Sequence, residues 1–303
     1  MVKKYTMKPL INPVLPAKLA SEIALLQPLI RHARSGLELY SFRAAQAPAL
    51  MREVGRLREE AFRRAGGGTG EALDVDWGDV APRGYRQLIA WDAGRCRIVG
   101  GYRYMIGSES DIGSLSSAHY FDFAPHFSRE ILPYAVELGR SFVARATADT
   151  SAPCSLFAMD ALWQGLGKIV GENKAVKYLF GKVTIYPDYG ESAMALLYAF
   201  LRSYFSPKEP HLIRAKNRVT IEPPQPFPFC GKDFLADYRR LVVLLRAQRR
   251  CIPPMIKAYM KLSPRLEVYD TALNPDFGNV RETAILLPTK TILRQKRERY
   301  IKT

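Results

Sequence analysis

One charged pair inside an otherwise strand-like apolar run, Glu137 and Arg140 within AVELGRSFV (residues 135–143), constrains this chain more than any other feature. A carboxylate there must be paired, hydrogen-bonded or put to chemical use, because an isolated buried charge is expensive. The run belongs to an ordered series. Two strand-like segments precede it, QLIAW (87–91) and IVGGYRYM (98–105), and the turn-forming DAGRC between them predicts a hairpin. An irregular ARATADTSAPC follows the run, and then LFAMDALWQGLGKIVGEN, where Met159, Leu162, Leu166 and Ile169 share one helical face. A second apolar strand, YLFGKVTI (178–185), leads to the helix ESAMALLYAFLRSYF, with Met194, Leu197, Leu201 and Tyr204 aligned.

Upstream, the spacing of Leu50, Val54, Leu57 and Ala61 predicts an amphipathic helix from Pro48, its other face filled by arginines and glutamates. Gly66, Gly67 and Gly68 close it, since glycine takes the left-handed conformation that ends helices. A phosphate cradle would instead follow a strand and open a helix. Residues 1–47 read as an N-terminal extension with a helix around Lys18 to Arg34. The proline-rich EPPQPFPF (222–229) reads as a surface loop. Beyond it come a basic helix, FLADYRRLVVLLRAQRR, a second helix opened by Pro253 and Pro254, two strands, RLEVYD and ETAILLP, and a basic tail over 289–303.

Charge points to the kind of partner. The 303 residues hold 45 Lys and Arg against 29 Asp and Glu, a formal +16. From Arg202 onward, 21 basic residues face 9 acidic ones, so an acidic partner surface is expected in the last third. Cys96, Cys154, Cys230 and Cys251 are widely separated, as are His32, His119, His126 and His211. Neither set has metal-ligand spacing, and the cysteines suggest a reduced cytoplasmic chain without a metal. An export signal and a membrane-spanning run are not expected either, because the N-terminus lacks an apolar core and no run reaches about 18 apolar residues.

Several motifs coincide in type and spacing with those of a known family. They are LREEAF, with Arg58 four residues before Phe62; the acidic pair Asp76 and Asp79; Arg103 in GGYRY; and ELGR, with Glu137 three residues before Arg140. Together with QLIAWD, VGGYRYMIG and IPPMIKAYMKLSP, they make the chain resemble the GNAT-superfamily N-acyltransferases of the hemolysin or aminolipid branch, which make glycine or ornithine lipids. They are also distantly similar to acyl-homoserine-lactone synthases. The resemblance spans roughly residues 48–288. It implies an α+β, GNAT-like fold, a central mixed, mostly antiparallel sheet flanked by helices, with the C-terminal strands and helices completing its core. The glycine-bearing loop with which such enzymes hold the coenzyme A diphosphate is missing from ARATADTSAPCSLF, so acyl-acyl-carrier protein, a phosphopantetheine thioester, is the expected donor substrate, with no separate cofactor. Carrier proteins are acidic, which matches the basic last third.

The resemblance implies transfer of a long-chain or 3-hydroxy fatty acyl group to the α-amine of glycine or ornithine. Glu137 would take the amine's proton, or only pair with Arg103 or Arg140 to hold the strands. Tyr198 stands where this fold often keeps a tyrosine that protonates the leaving thiolate. Arg140 and Arg103 suit an acceptor carboxylate, or only form structural ion pairs; Asp76 and Asp79 suit its ammonium, or lock the first helix through Arg58. Phe62 is either core or a substrate contact. Leu156, Phe157, Met159, Leu162 and Trp163 are either walls for the acyl chain or ordinary core packing. Arg239, Arg240, Arg246, Arg249 and Arg250 suit docking of carrier protein or of an anionic membrane at its inner face. Two other readings remain: an acyl-homoserine-lactone synthase using S-adenosylmethionine, and a basic nucleic-acid-binding protein, which lacks any recognition motif. A membrane-active toxin, the sense of the hemolysin label, would need the export signal or spanning run that the sequence does not supply.

Overall fold

The structure, a computed structural model, describes residues 7–145 and 152–301, with side chains 152–156 outside that description. In chain order the elements are α1 (Pro16–Ile23), β1 (Pro28–Arg31), β2 (Glu38–Phe42), α2 (Pro48–Arg64), the one-turn α3 (Trp77–Val80), β3 (Arg86–Asp92) and β4 (Arg97–Ile106). Then come β5 (Phe121–Phe123), β6 (Ala135–Val143), α4 (Ala152–Glu172), β7 (Tyr178–Ile185), α5 (Glu191–Phe205) and β8 (Ile213–Ala215). The chain finishes with α6 (Phe234–Ala247), α7 (Pro254–Leu262), β9 (Glu267–Asn274), β10 (Val280–Pro288) and α8 (Arg294–Tyr300). Eight strands form one sheet in the order β1-β2-β3-β4-β6-β7-β10-β9, while β5 and β8 pair separately. Only the β6–β7 pair of the large sheet is parallel. Parallel neighbours need a long crossover, and α4 supplies it.

Strand alternation sends side chains to two cores. Leu39, Leu88, Leu138 and Leu179 pack under α4, α5 and α7 through Leu162, Leu197 and Met260. On the opposite face Phe42, Ile89 and Ile98 meet α1 and α2 through Leu19, Leu50 and Val54. The mixed, mostly antiparallel sheet with helices on both faces is the GNAT arrangement expected from the sequence.

Three departures from the sequence reading are informative. Residues 1–47 are not merely an extension, because β1 and β2 extend the main sheet and, among the described residues, the helix there spans Pro16–Ile23. Pro28 cannot continue a helix, and the segment after it turns into a strand. The basic tail is anchored through α8: Arg299 and the Tyr300 hydroxyl both bond Asp160 of α4, at 2.6 and 2.9 Å. The polar face of α2 is not all solvated, since Glu53, Arg58 and Glu59 are buried. Glu59 accepts from the backbone N–H groups of Thr69 and Gly70 at 2.9 and 2.8 Å. Those loop amides after Gly66–Gly68 therefore hold the chain's own carboxylate, as a helix-closing turn and not a phosphate cradle.

The central gap has a local cause. β6 and β7 pair only from Ala135↔Tyr178 to Leu138↔Gly181, and then diverge. At the point of divergence Gly181 lies so close to Leu138 that a Cβ would fall on the Leu138 carbonyl oxygen. On the other side of β6, the pairing with β4 slips between Gly101 and Arg103, and Arg140 takes a left-handed φ of 51°. This is a β-bulge. Simple alternation would put Arg140 on the Leu138 face; the bulge turns it toward α2 and α3.

Candidate active site

The gap opens into one cavity of about 570 Å³ whose walls come from both faces of the sheet. On the α2–α3 face the wall is charged: Asp76, Arg103, Arg140, Lys182 and Glu282. On the α4–α7 face it is apolar: Tyr102, Leu138, Val183, Ile185, Met255 and Tyr259. Consecutive residues of β7, Lys182 and Val183, point into the two halves. A single strand thus serves both, by its period of two.

The charged half rests on a buried network. Asp76 caps α3, its side chain accepting from the Asp79 N–H while Asp79 accepts in return from the Asp76 N–H. Asp79, fully buried, pairs with Arg58 at 3.1 Å and with Arg103 at 3.2 Å, and Gln87 donates to it at 2.9 Å. Burial alone would push the Asp79 carboxyl up; Arg58 and Arg103 outweigh it and hold it well below the usual carboxylate range. Arg103 also bonds Asp76 at 2.7 Å and lies 4.3 Å over the Tyr85 ring. Arg140 approaches Asp74 at 3.1 Å and Asp76 at 3.6 Å, 5.0 Å over the Phe277 ring. Asp74 is buried, and burial raises its pKa, with the neighbouring arginines opposing.

A second charged pair stands across the gap. The Lys182 ammonium donates to Glu282 at 2.6 Å and lies 4.9 Å over the Tyr120 ring. Glu282 accepts also from Thr184 at 2.7 Å and Asn274 at 3.1 Å. Burial again opposes ionisation of Glu282, but Lys182 and these hydroxyl and amide donors bring its pKa below the usual value. Burial lowers the Lys182 pKa, with Glu282 pulling it back.

Glu137 is buried one layer behind the wall. It accepts from the Tyr85 hydroxyl, the Ser117 N–H at 2.9 Å and the Ser116 hydroxyl at 3.3 Å. Ser116 itself lines the cavity, so its hydroxyl joins the carboxylate to the interior.

Residues 57–157 match the family described as "Acetyltransferase (GNAT) domain". A protein named glycine N(alpha)-acyltransferase from Phocaeicola vulgatus is 40% identical over 306 aligned residues, covering 98% of this chain and 94% of that protein. The chain belongs to the GNAT N-acyltransferase family. A second relative of the same name, from Bacteroides thetaiotaomicron, is 39% identical over 98% of this chain and 90% of its own length. Among solved structures, the acyltransferase is similar to the AHL synthase LasI at 15% identity and a TM-score of 0.35, over 62% of this chain and 85% of that one. A CoA-dependent acyl-homoserine lactone synthase, BjaI with MTA, aligns at 14% identity with a TM-score of 0.32, over 87% of both chains.

The acyltransferase brings Phe62, Asp76, Arg103, Arg140, Arg249 and Arg250 together on the cavity wall. Arg58 and Asp79 lie behind it as the charge network that fixes Arg103, which is the locking role. Glu137 makes neither of the ion pairs considered for it. Its partners are a tyrosine, a serine and a backbone amide.

Tyr198 is a correction: its hydroxyl bonds Thr283 inside the α5–sheet core, because alternation along β10 turns Thr283 to the face away from Glu282. Trp163 is another. It packs behind the wall, its ring 6.4 Å from Tyr102 and 5.4 Å from Tyr259, and supports those two rings without facing the cavity. Likewise Phe157, Met159 and Leu162 are replaced as chain walls by residues of β7 and α7, while the Leu156 side chain and the segment 146–151, where the coenzyme loop was sought, lie outside the described residues. Arg239, Arg240 and Arg246 are exposed on α6, away from the cavity that Arg249 and Arg250 line at its mouth.

Sequence reasoning missed Lys182, Glu282, Ser116 and Tyr85. A signal existed for the first. Lys182 is a lone charge in the apolar run YLFGKVTI, and the question raised by the charged pair in AVELGRSFV applied to it as well.

Proposed function

We propose that the enzyme transfers a long-chain or 3-hydroxy fatty acyl group from acyl-acyl-carrier protein to the α-amine of glycine, within aminolipid synthesis. The observation that carries this reading is the single cavity with a charged half and an apolar half joined through the gap between β6 and β7. A fatty acyl thioester has an apolar tail and one reactive carbonyl, and an amino acid is small and charged. The two substrates therefore sort themselves into the two halves, with the carbonyl at the gap. The name shared by the two relatives, glycine N(alpha)-acyltransferase, favours glycine as acceptor.

In this reading the amine attacks the thioester carbonyl directly; a C–N bond forms and the C–S bond breaks. The amine's proton passes by way of the Ser116 hydroxyl to Glu137 and ends on the departing thiolate. Tyr85 and the Ser117 N–H hold Glu137 in place for that exchange. No covalent acyl-enzyme is needed. The exposed Arg239, Arg240 and Arg246, with Arg249 and Arg250 at the mouth, provide the basic approach for an acidic carrier protein. Among the described residues no helix is long and apolar enough to cross a membrane, and a peripheral position on an anionic inner membrane face would suit the lipid product.

The test is single-turnover transfer from 3-hydroxypalmitoyl-acyl-carrier protein and from palmitoyl-CoA, with a pool of amino acids plus S-adenosylmethionine, read by mass spectrometry. N-acylglycine from the carrier-protein donor is expected, and a Glu137→Gln variant should be slower by roughly 10² to 10⁴. An acyl-homoserine lactone from S-adenosylmethionine would transfer the assignment to the lactone synthases.

A further inference from the structure

We propose that Lys182, held by Glu282, binds the carboxylate of the acceptor amino acid together with Arg140, and so makes the charged half of the cavity selective for a free α-amino acid. This deepens the glycine reading and rests on it. Three observations carry it.

First, Lys182 is placed for the task. It follows Gly181, where β6 and β7 part, so its ammonium stands immediately beside the gap through which the thioester carbonyl is reached. Second, it has donors to spare. An ammonium has three N–H groups, and among the described residues Lys182 has one hydrogen-bond partner, Glu282. Arg103 is tethered to Asp76 and Asp79 through a single terminal nitrogen, so Lys182 joins the arginines of this wall as a carboxylate donor and does not replace Arg103. Third, the carboxylates on the charged wall are occupied. Asp76 faces Arg103 and Arg140, and Glu282 accepts from Lys182, Thr184 and Asn274. With Asp76 and Glu282 each engaged by cations, this half of the cavity suits an anion.

The roles then divide simply. Glu282 is a positioning residue, fixing the ammonium from the side away from the substrate. Lys182 and Arg140 grip the carboxylate, leaving the amine free to face the gap and Ser116.

The experiment compares glycine with glycinamide, which lacks the carboxylate charge, at saturating 3-hydroxypalmitoyl-acyl-carrier protein. The proteins are wild type, Lys182→Met, Lys182→Arg and the double variant Lys182→Met/Glu282→Gln, which avoids a lone buried carboxylate. A hydrogen bond to a charged group contributes about 1.5–3 kcal/mol, so KM for glycine should rise about 10- to 150-fold in both Met-bearing variants. KM for glycinamide should stay within about twofold, erasing the preference, and Lys182→Arg should restore part of it. A glycine KM near wild type in the folded double variant, or a parallel loss for both acceptors, overturns the inference while the glycine reading stands. If wild type acylates another amino acid instead, the glycine reading falls and Lys182 is judged on that acid and its amide. A wild type that acylates no amino acid overturns both.

Discussion

Two buried charge clusters face each other across the gap, and they differ in how fully the group at their centre is engaged. In the Arg58–Asp79–Arg103–Asp76 cluster that centre is closed: Asp79 meets two guanidiniums and the Gln87 amide, while the Nε atoms of Arg58 and Arg103 have no hydrogen-bond partner among the described residues. The Lys182–Glu282 pair is open on the lysine side. A closed network spends its charges on one another and acts as scaffold. An open one keeps bonding capacity for a ligand. The more conspicuous cluster in the sequence is the closed one, which teaches that a dense charged motif is not by itself the place where substrate is held.

The sharpest way to break this contrast is Asp79→Asn. It leaves Arg58 and Arg103 buried without their shared carboxylate, and breaking such a pair costs roughly 3–5 kcal/mol. Denaturant unfolding should show a loss of that order, whereas the Lys182→Met/Glu282→Gln variant, which removes both partners, should lose far less. Equal losses would erase the distinction between scaffold and site.

The same carboxylate predicts a pH effect with a definite sign. Its folded pKa lies below the unfolded value of about 3.9. The stability it contributes is therefore complete above about pH 4 and fades as pH falls through the folded value. Stability curves below pH 4 should be flatter in Asp79→Asn than in wild type.

Next in size is Gly181→Ala. The added methyl meets the Leu138 carbonyl oxygen where the strands part. Overpacking of this kind costs about 1–3 kcal/mol, and the shifted gap should lower the transfer rate more than it changes KM for glycine. Smallest is Tyr198→Phe, which removes one core hydrogen bond to Thr283. A stability loss of about 0.5–1.5 kcal/mol with transfer rate within about threefold of wild type is expected. A collapse of the rate in a folded protein would return Tyr198 to the chemistry.

Much of the layout was legible in the sequence. Hydrophobic spacing located α2, α5 and the β3–β4 hairpin, and YLFGKVTI coincides with β7, because burial of one face or of both leaves a periodic or continuous apolar trace. The motif residues Phe62, Asp76, Arg103 and Arg140 did converge on one wall. Weak periodicity hid β1 and β2: four- and five-residue strands give too few repeats to tell from a helix end or a loop. The tail looked like solvated charge, since nothing near residues 294–300 announces that Asp160, far away in the chain, will anchor two of them.

What the sequence alone determined was the chemistry available and the order of the elements, since residue type and periodicity are local properties. Only the tertiary structure decided which charges neutralise one another and which stay open. That depends on a bulge that turns Arg140 off its strand's alternation, on a glycine that lets β6 and β7 part beside Lys182, and on Glu282 arriving from a strand 100 residues later to hold that lysine. Ion pairing is a matter of ångströms between groups far apart in the chain, and no local pattern carries that distance.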